Sequence, residues 1–257
     1  MSDLVDETTE DAFLGGALRL RQPKAGHRAG HDAMLLAAAT LARPGDRVVE
    51  FGAGVGAAGL ALKTRVGAID LVLVEIDPGL AALARDNAAA NNMSADVAVL
   101  DVTAPAEVFA SAGLPPDSVD VVLMNPPFND AARHRASPDR VRATAHVATD
   151  ATLESWIHAG RRILKSSGAL TLIWRADGLA DVLAVLERGF GSLKILPVHA
   201  DAVRPAIRVL VRAVKGGKAP TEILSAVVLN DEQAAPDKKV AEILEGRGVL
   251  PLAVPRT

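Results

Sequence analysis

Residues 47–59 read R-V-V-E-F-G-A-G-V-G-A-A-G. The run Arg47–Phe51 is rich in β-branched and apolar residues, and Gly52, Gly54 and Gly56 follow it at alternate positions. Glycines at a strand-to-helix junction let the backbone turn sharply and approach a ligand with no Cβ in the way. A helix that starts just behind them adds free N–H groups and a partial positive charge. The stretch predicts the first strand of an open α/β sheet, with a ligand-binding turn at its carboxyl end.

Working outward, short apolar runs alternate with Ala/Leu-rich helical stretches. The runs are Leu71–Ile76 (LVLVEI), Val97–Val102 (VAVLDV), Val119–Met124 (VDVVLM) and Ala169–Trp174 (ALTLIW). That alternation predicts a parallel sheet covered on both faces. Asp77 and Pro78 read as the cap and first residue of a helix that stops at Asn91-Asn92. A second helix is expected over Thr152–Lys165, with Ser167-Gly168 turning into the next strand. Leu193–Val198 and Ile207–Val214 are too close together for a helix between them, so a hairpin is expected. The expected sheet has seven strands, mostly parallel, with one antiparallel strand in a C-terminal hairpin.

Three segments are expected: an arm and helix over 1–43, a core over 44–216, and a tail over 217–257 that packs on the core. Asp32 reads as the N-cap of the helix before the core, which ends at Pro44-Gly45. The tail holds one more possible strand, Ile223–Leu229, and a helix over about 236–245.

Composition narrows the class. With 257 residues, 49% hydrophobic and 23% charged, the chain reads as a globular α/β protein. It has no cysteine, which excludes disulfides, thiolate catalysis and Cys-based zinc sites. His27 and His31 are four apart, but Gly26 and Gly30 weaken a helical metal pair, and no metal is expected. The acidic start lacks a basic and apolar leader pattern, and no apolar run is long enough to span a bilayer, so a cytoplasmic protein is expected. Net charge is −3, yet basic residues cluster at Arg19, Arg21, Lys24 and Arg28, and again at Arg133, Arg135, Arg140 and Arg142.

The glycine turn alone leaves two cofactors open. Gly54-x-Gly56-x-x-Gly59 also satisfies the dinucleotide fingerprint, and Glu75 at the second strand's end serves the ribose of either. Glu50 beside the turn suits a cationic amino-acid moiety better than a pyrophosphate. Asp101 at the third strand's end suits an adenine amino group.

Asn125-Pro126-Pro127-Phe128 tips the balance. Two prolines stop the strand ladder and stiffen the backbone at the edge where such sheets bind ligands. The Asn125 side-chain oxygen and the Pro126 carbonyl can accept both N–H bonds of a planar amine. They thereby favour the pyramidal nitrogen formed during attack on a sulfonium methyl. Phe128 can stack on the target ring.

In this order, EFGAGVG, LVLVEID, LDVT and VVLMNPPF resemble the class I S-adenosylmethionine-dependent methyltransferases that act on exocyclic or amide nitrogens. Within that group, GHRAGHDAMLLAAA, the NPPF ending, the His146-containing segment RATAHVATDATLESWI and LKSSGALTLIWRAD resemble the bacterial tRNA1(Val) adenine N6-methyltransferases. The resemblance covers roughly residues 25–215. It implies S-adenosylmethionine as cofactor, Gly52, Gly54 and Gly56 along its methionine and ribose, Glu50 at the methionine end, Glu75 on the ribose and Asp101 near the adenine. It sets Asn125 between cofactor and target, implying adenine N6 of a tRNA anticodon loop as the acceptor. Many members carry Tyr where this chain has Phe128, and Thr-Asp where it has His31-Asp32.

Arg133, Arg135, Arg140 and Arg142 are expected at the mouth of the site, contacting RNA phosphates, with the arm cations on the same side. Two alternatives stay open: methylation of a protein glutamine, which has the same acceptor geometry, and a non-catalytic RNA-binding module. The short leader, about forty residues, favours RNA over the glutamine-modifying group, whose members carry a helical domain ahead of the core.

Overall fold

The computed structural model describes residues 7–25, 28–127, 152–230 and 237–254. Its first element was not foreseen in the sequence. Strands β1 (Thr8–Phe13) and β2 (Leu18–Pro23) form a separate antiparallel hairpin. Its signal is a period of two: Leu18 and Leu20 are fully buried, whereas Arg19 and Arg21 are exposed. Helix α1 (His31–Ala39) follows, capped by Gly30 and not by Asp32. Asp32 lies in the first turn, where it reaches Arg208 at 3.0 Å.

The seven expected strands are present as β3 (Arg47–Phe51), β4 (Asp70–Glu75), β5 (Asp96–Val99), β6 (Val119–Met124), β7 (Leu164–Arg175), β8 (Phe190–His199) and β9 (Ala206–Lys215). Helices α2 (Ala57–Val66), α3 (Pro78–Ala90), α4 (Ala106–Ser111), α5 (152–163) and α6 (Leu179–Leu186) connect or follow them. Strands β10 (Glu222–Ile223) and β11 (Val227–Val228) precede helix α7 (Lys238–Leu244). The sheet order is β10-β8-β9-β7-β6-β3-β4-β5, with β11 also on β8. Strand β9 is antiparallel to both neighbours, as the close spacing of the last two core strands requires.

Several boundaries differ from expectation: α1 stops at Ala39 rather than at Pro44-Gly45, and α5 ends at residue 163, so that Ser167-Gly168 lies within β7, at an irregularity of its pairing with β6, and not in a turn before it. The expected strand Ile223–Leu229 is two short pieces, which pair with β8 on either side of Pro197. Proline has no N–H to offer a ladder, so the break falls where pairing is weakest. Strand β5 stops at Val99, leaving Asp101 in the turn beyond it.

Side chains alternate across the sheet and divide the core in two. Val48, Leu71, Leu73, Val121 and Leu123 face the layer of α1, α2, α3 and α7. Val49, Phe51, Val72, Val74, Val122 and Met124 face α4, α5 and α6. Each such buried side chain contributes about 1.5–3 kcal/mol. The tail is tied to the first layer: the Leu250 N–H donates to Ala38 O, and the Arg212 guanidinium donates to Leu252 O.

Candidate active site

Strand register sets three key residues side by side. Phe51 lies opposite Val74 of β4 and Met124 of β6. The next residue on each strand is Gly52, Glu75 and Asn125, respectively. The chain builds β3, β4 and β5 outward in one direction, then returns to lay β6 on the other side of β3. Ligands of open α/β sheets bind at such a reversal, outside the carboxyl ends of the strands. Gly52 and Asn125 flank it.

Both acids of this edge are buried and bonded to backbone. Glu75 Oε2 accepts from Gly54 N–H at 2.7 Å, and its Oε1 accepts from Asp77 N–H at 2.9 Å. Each oxygen keeps a second lone pair. Glu50 sits lower, on the α2 side, where Oε2 accepts from Gly59 N–H at 2.7 Å. Glycine at 59 permits that approach, because a Cβ would come within 2.7 Å of both Glu50 Oε2 and Leu73 Cδ2. No ion pair reaches Glu50 among the described residues, and burial pushes its carboxyl up to about 8.

Gly52 is in the left-handed region, with φ +63°. A Cβ on it would lie 2.4 Å from Trp156 Cη2, so the indole of α5 fills the space beneath the turn. At Gly54 nothing stands within 4 Å of a Cβ position, leaving that side of the turn open.

Asn125 directly follows β6, and its Oδ1 is buried without a hydrogen-bond partner among the described residues. Such an orphan acceptor is uncommon in a folded protein and calls for an explanation, a ligand among them. Pro126 is buried behind it. Phe128, Arg133, Arg135, Arg140, Arg142 and His146 lie outside the described residues.

Asp101 is exposed, and its Oδ1 accepts from Thr103 N–H at 2.7 Å and Thr103 Oγ1 at 2.8 Å. The arm cations behave differently from a free basic rim. Arg19 pairs with Glu10, Lys24 with Glu7 and Arg28 with Asp11, and Arg21 donates to Thr8 Oγ1. The opposed charges of the leader and arm are thus contacts within and beside the hairpin.

Sequence reading missed two residues of this edge. Ile76, expected in the strand but lying just past β4 between Glu75 and the Asp77 cap, is 62% exposed although apolar. Trp156 falls within the helix expected over Thr152–Lys165, and the sequence gives it no role at the site. A shallow depression of about 610 Å³, lined in part by Gly45, Lys63, Ile69 and Asp70, opens at the opposite edge of the sheet. It is remote from Asn125.

A strand-order reversal with buried acids beside a glycine turn is a ligand site of an open α/β sheet, and with the antiparallel β9 the sheet is that of a class I methyltransferase fold. The chain belongs to the methyltransferase small domain family, which matches residues 31–200, and its methyl donor is S-adenosylmethionine. Among its relatives it is similar to the tRNA1(Val) (adenine(37)-N6)-methyltransferase of Dickeya chrysanthemi, 29% identical over 193 residues that make up 74% of each chain. It is similar to the protein of that name from Porphyromonas gingivalis, 30% identical over 179 residues, 67% of this chain and 68% of the other. The crystal structure of a predicted O-methyltransferase from Agrobacterium tumefaciens superposes with a TM-score of 0.71 at 30% identity, covering 85% of this chain and 98% of that one. No described helix is long and apolar enough to cross a membrane.

Proposed function

We propose that this methyltransferase acts on RNA, transferring a methyl group to the exocyclic N6 amine of an adenine in the anticodon loop of a valine tRNA. The observation that carries the reading is the unpartnered Asn125 Oδ1 at the strand reversal, followed by two prolines. The names borne by two relatives of similar length support the choice of acceptor.

The residues fit the cofactor chemically. When bound, S-adenosylmethionine supplies an electrophilic methyl group on a cationic sulfur. The remaining lone pairs of Glu75 suit two ribose hydroxyls. Glu50 is a buried acid without a cationic partner among the described residues, which a positively charged methionine moiety would provide. Gly52, Gly54 and Gly56 line the methionine and ribose part, Ile76 covers an apolar ring face, and Asp101 lies near the adenine.

Asn125 and the Pro126 carbonyl hold the two N–H bonds of the target amine, whose lone pair is otherwise delocalised into the ring. That favours a pyramidal nitrogen aimed at the methyl group, and no strong general base is needed. Phe128 stacks on the target base, which an anticodon loop can splay outward at modest cost. Arg133, Arg135, Arg140 and Arg142 contact the flanking phosphates. Residues 44–216 form the catalytic unit, and the protein works in the cytoplasm.

Nucleoside mass spectrometry of tRNA and rRNA from deletion and rescued strains tests the reading. The expected result is N6-methyladenosine in a valine tRNA, lost on deletion and restored on rescue. Unchanged RNA with loss of a methyl group from a protein glutamine or a hydroxyl would overturn it.

A further inference from the structure

Trp156 is more than a core residue. Most buried aromatics pack on other side chains, but this indole abuts the main chain of a left-handed glycine, 2.4 Å from the position of an added Cβ at Gly52. Its ring also meets Phe51 edge-on, with centroids 6.4 Å apart at 88°, and Phe51 in turn meets Phe109 at 5.9 Å and 71°. The ring is thus fixed from the side by the aromatic cluster and from above by the turn.

The helix that carries it is fixed as well. One turn after Trp156, Gly160 seats α5 against β7 and β6, where a Cβ would meet Leu170 Cδ1 at 3.0 Å, Met124 Cε at 3.5 Å and Val122 Cγ1 at 3.6 Å. Met124 immediately precedes Asn125. One helix therefore braces the strand that leads into Asn125 and supports the glycine turn of the neighbouring strand.

We propose that Trp156 is a positioning residue for cofactor binding, holding the Gly52 turn in shape from beneath and locking it to the Asn125 strand through α5. The indole leaves the turn no room to relax downward, because interiors are close-packed and a smaller side chain would leave a void under the turn. A leucine there keeps the site apolar but removes the floor.

The test is calorimetric titration with S-adenosylhomocysteine of the wild type, Trp156→Leu, Gly52→Ala and the double variant, each verified as folded by circular dichroism. No RNA is present, so the outcome is independent of the substrate proposed above. Trp156→Leu is expected to weaken binding about tenfold, and the double variant to bind more tightly than Gly52→Ala alone, because leucine makes room for the added methyl. In turnover, the KM for S-adenosylmethionine should rise while kcat at saturation changes less than about threefold. Wild-type affinity in Trp156→Leu, or strictly additive losses in the double variant, would overturn the proposal.

Should Trp156→Leu fail to fold, Trp174→Phe leaves Trp156 as the one tryptophan, and Trp156→Phe serves as the conservative variant. Emission of Trp156 should then change on adding S-adenosylhomocysteine and saturate with the calorimetric Kd. Unchanged emission would contradict a ring that supports the cofactor turn.

Discussion

The Glu50 carboxyl accepts the Gly59 N–H at 2.7 Å, which buries an acid against the first turn of α2 directly beneath the glycine turn. Burial is the dominant effect and raises its pKa from 4.5 to about 8. The Gly59 and Ala58 N–H groups pull the value down, and the nearby Glu75 pushes it up.

The pH dependence of stability follows from that shift. Below pH 4.5 Glu50 is protonated both folded and unfolded, so its contribution does not vary. Between 4.5 and 8 the unfolded chain loses the proton while the folded one keeps it, and stability falls by up to about 1.4 kcal/mol per pH unit. Above 8 the effect levels off. Gln at this position still accepts the Gly59 N–H but does not titrate. Urea denaturation at pH 5 and pH 8 should show Glu50→Gln gaining on the wild type as pH rises; parallel curves would refute the shift.

Gly59→Ala probes the same contact sterically. An added methyl meets Glu50 Oε2 and Leu73 Cδ2, both at 2.7 Å, and Leu71 Cδ1 at 3.2 Å. Overpacking of this kind costs about 1–3 kcal/mol. A lower midpoint in urea with an unchanged slope is expected.

Two asparagines dock the N-terminal hairpin, and they differ in reach. The Asn91 amide pairs with the backbone N–H and C=O of Arg19, and the Asn87 amide does the same with Arg21. Asn87 additionally donates to Val55 O, within the glycine turn. Two side-chain amides four residues apart, one within α3 and one at its C-cap, thus stand in for a neighbouring strand. Hydrogen exchange should show a loosened hairpin in both Asn91→Ala and Asn87→Ala, with residues 52–56 exchanging faster only in the latter. Faster exchange there in both variants would mean that the hairpin itself, and not Asn87, steadies the turn.

How much of this was legible beforehand depended on whether local pattern or long-range contact sets each feature. The strands Arg47–Phe51 and Val119–Met124 announce themselves because their central residues, Val48-Val49 and Val121–Met124, are buried on both faces and read as short apolar runs. The Asp77 cap is likewise local: its Oδ1 accepts from Gly79 and Leu80 N–H. The hairpin is hard to read in the sequence because its alternation is short and its apolar positions, Leu18 and Leu20, stand among charged residues. Trp156 could not have been assigned, since nothing in a helical apolar stripe says that one member will meet a glycine more than a hundred residues earlier. The burial of Glu50 was equally hidden, because the residue reads as an open carboxylate until α2 folds over it.

Glu75→Ala separates binding from chemistry. It removes acceptors for Gly54 and Asp77 N–H as well as the proposed ribose contact. S-adenosylhomocysteine affinity should fall by about 10- to 100-fold, with a smaller effect on kcat at saturation. An unaffected Kd would remove Glu75 from the cofactor site.

The most direct measurement is single-turnover methylation of an unmodified valine tRNA by the wild type and Asn125→Ala, read by nucleoside mass spectrometry at saturating S-adenosylmethionine. The expected result is N6-methyladenosine formed by the wild type and a rate lower by about 10²–10³-fold in the variant, with S-adenosylhomocysteine binding weakened but measurable. Methyl transfer by Asn125→Ala at the wild-type rate would contradict the role of the orphan carboxamide oxygen at the end of β6.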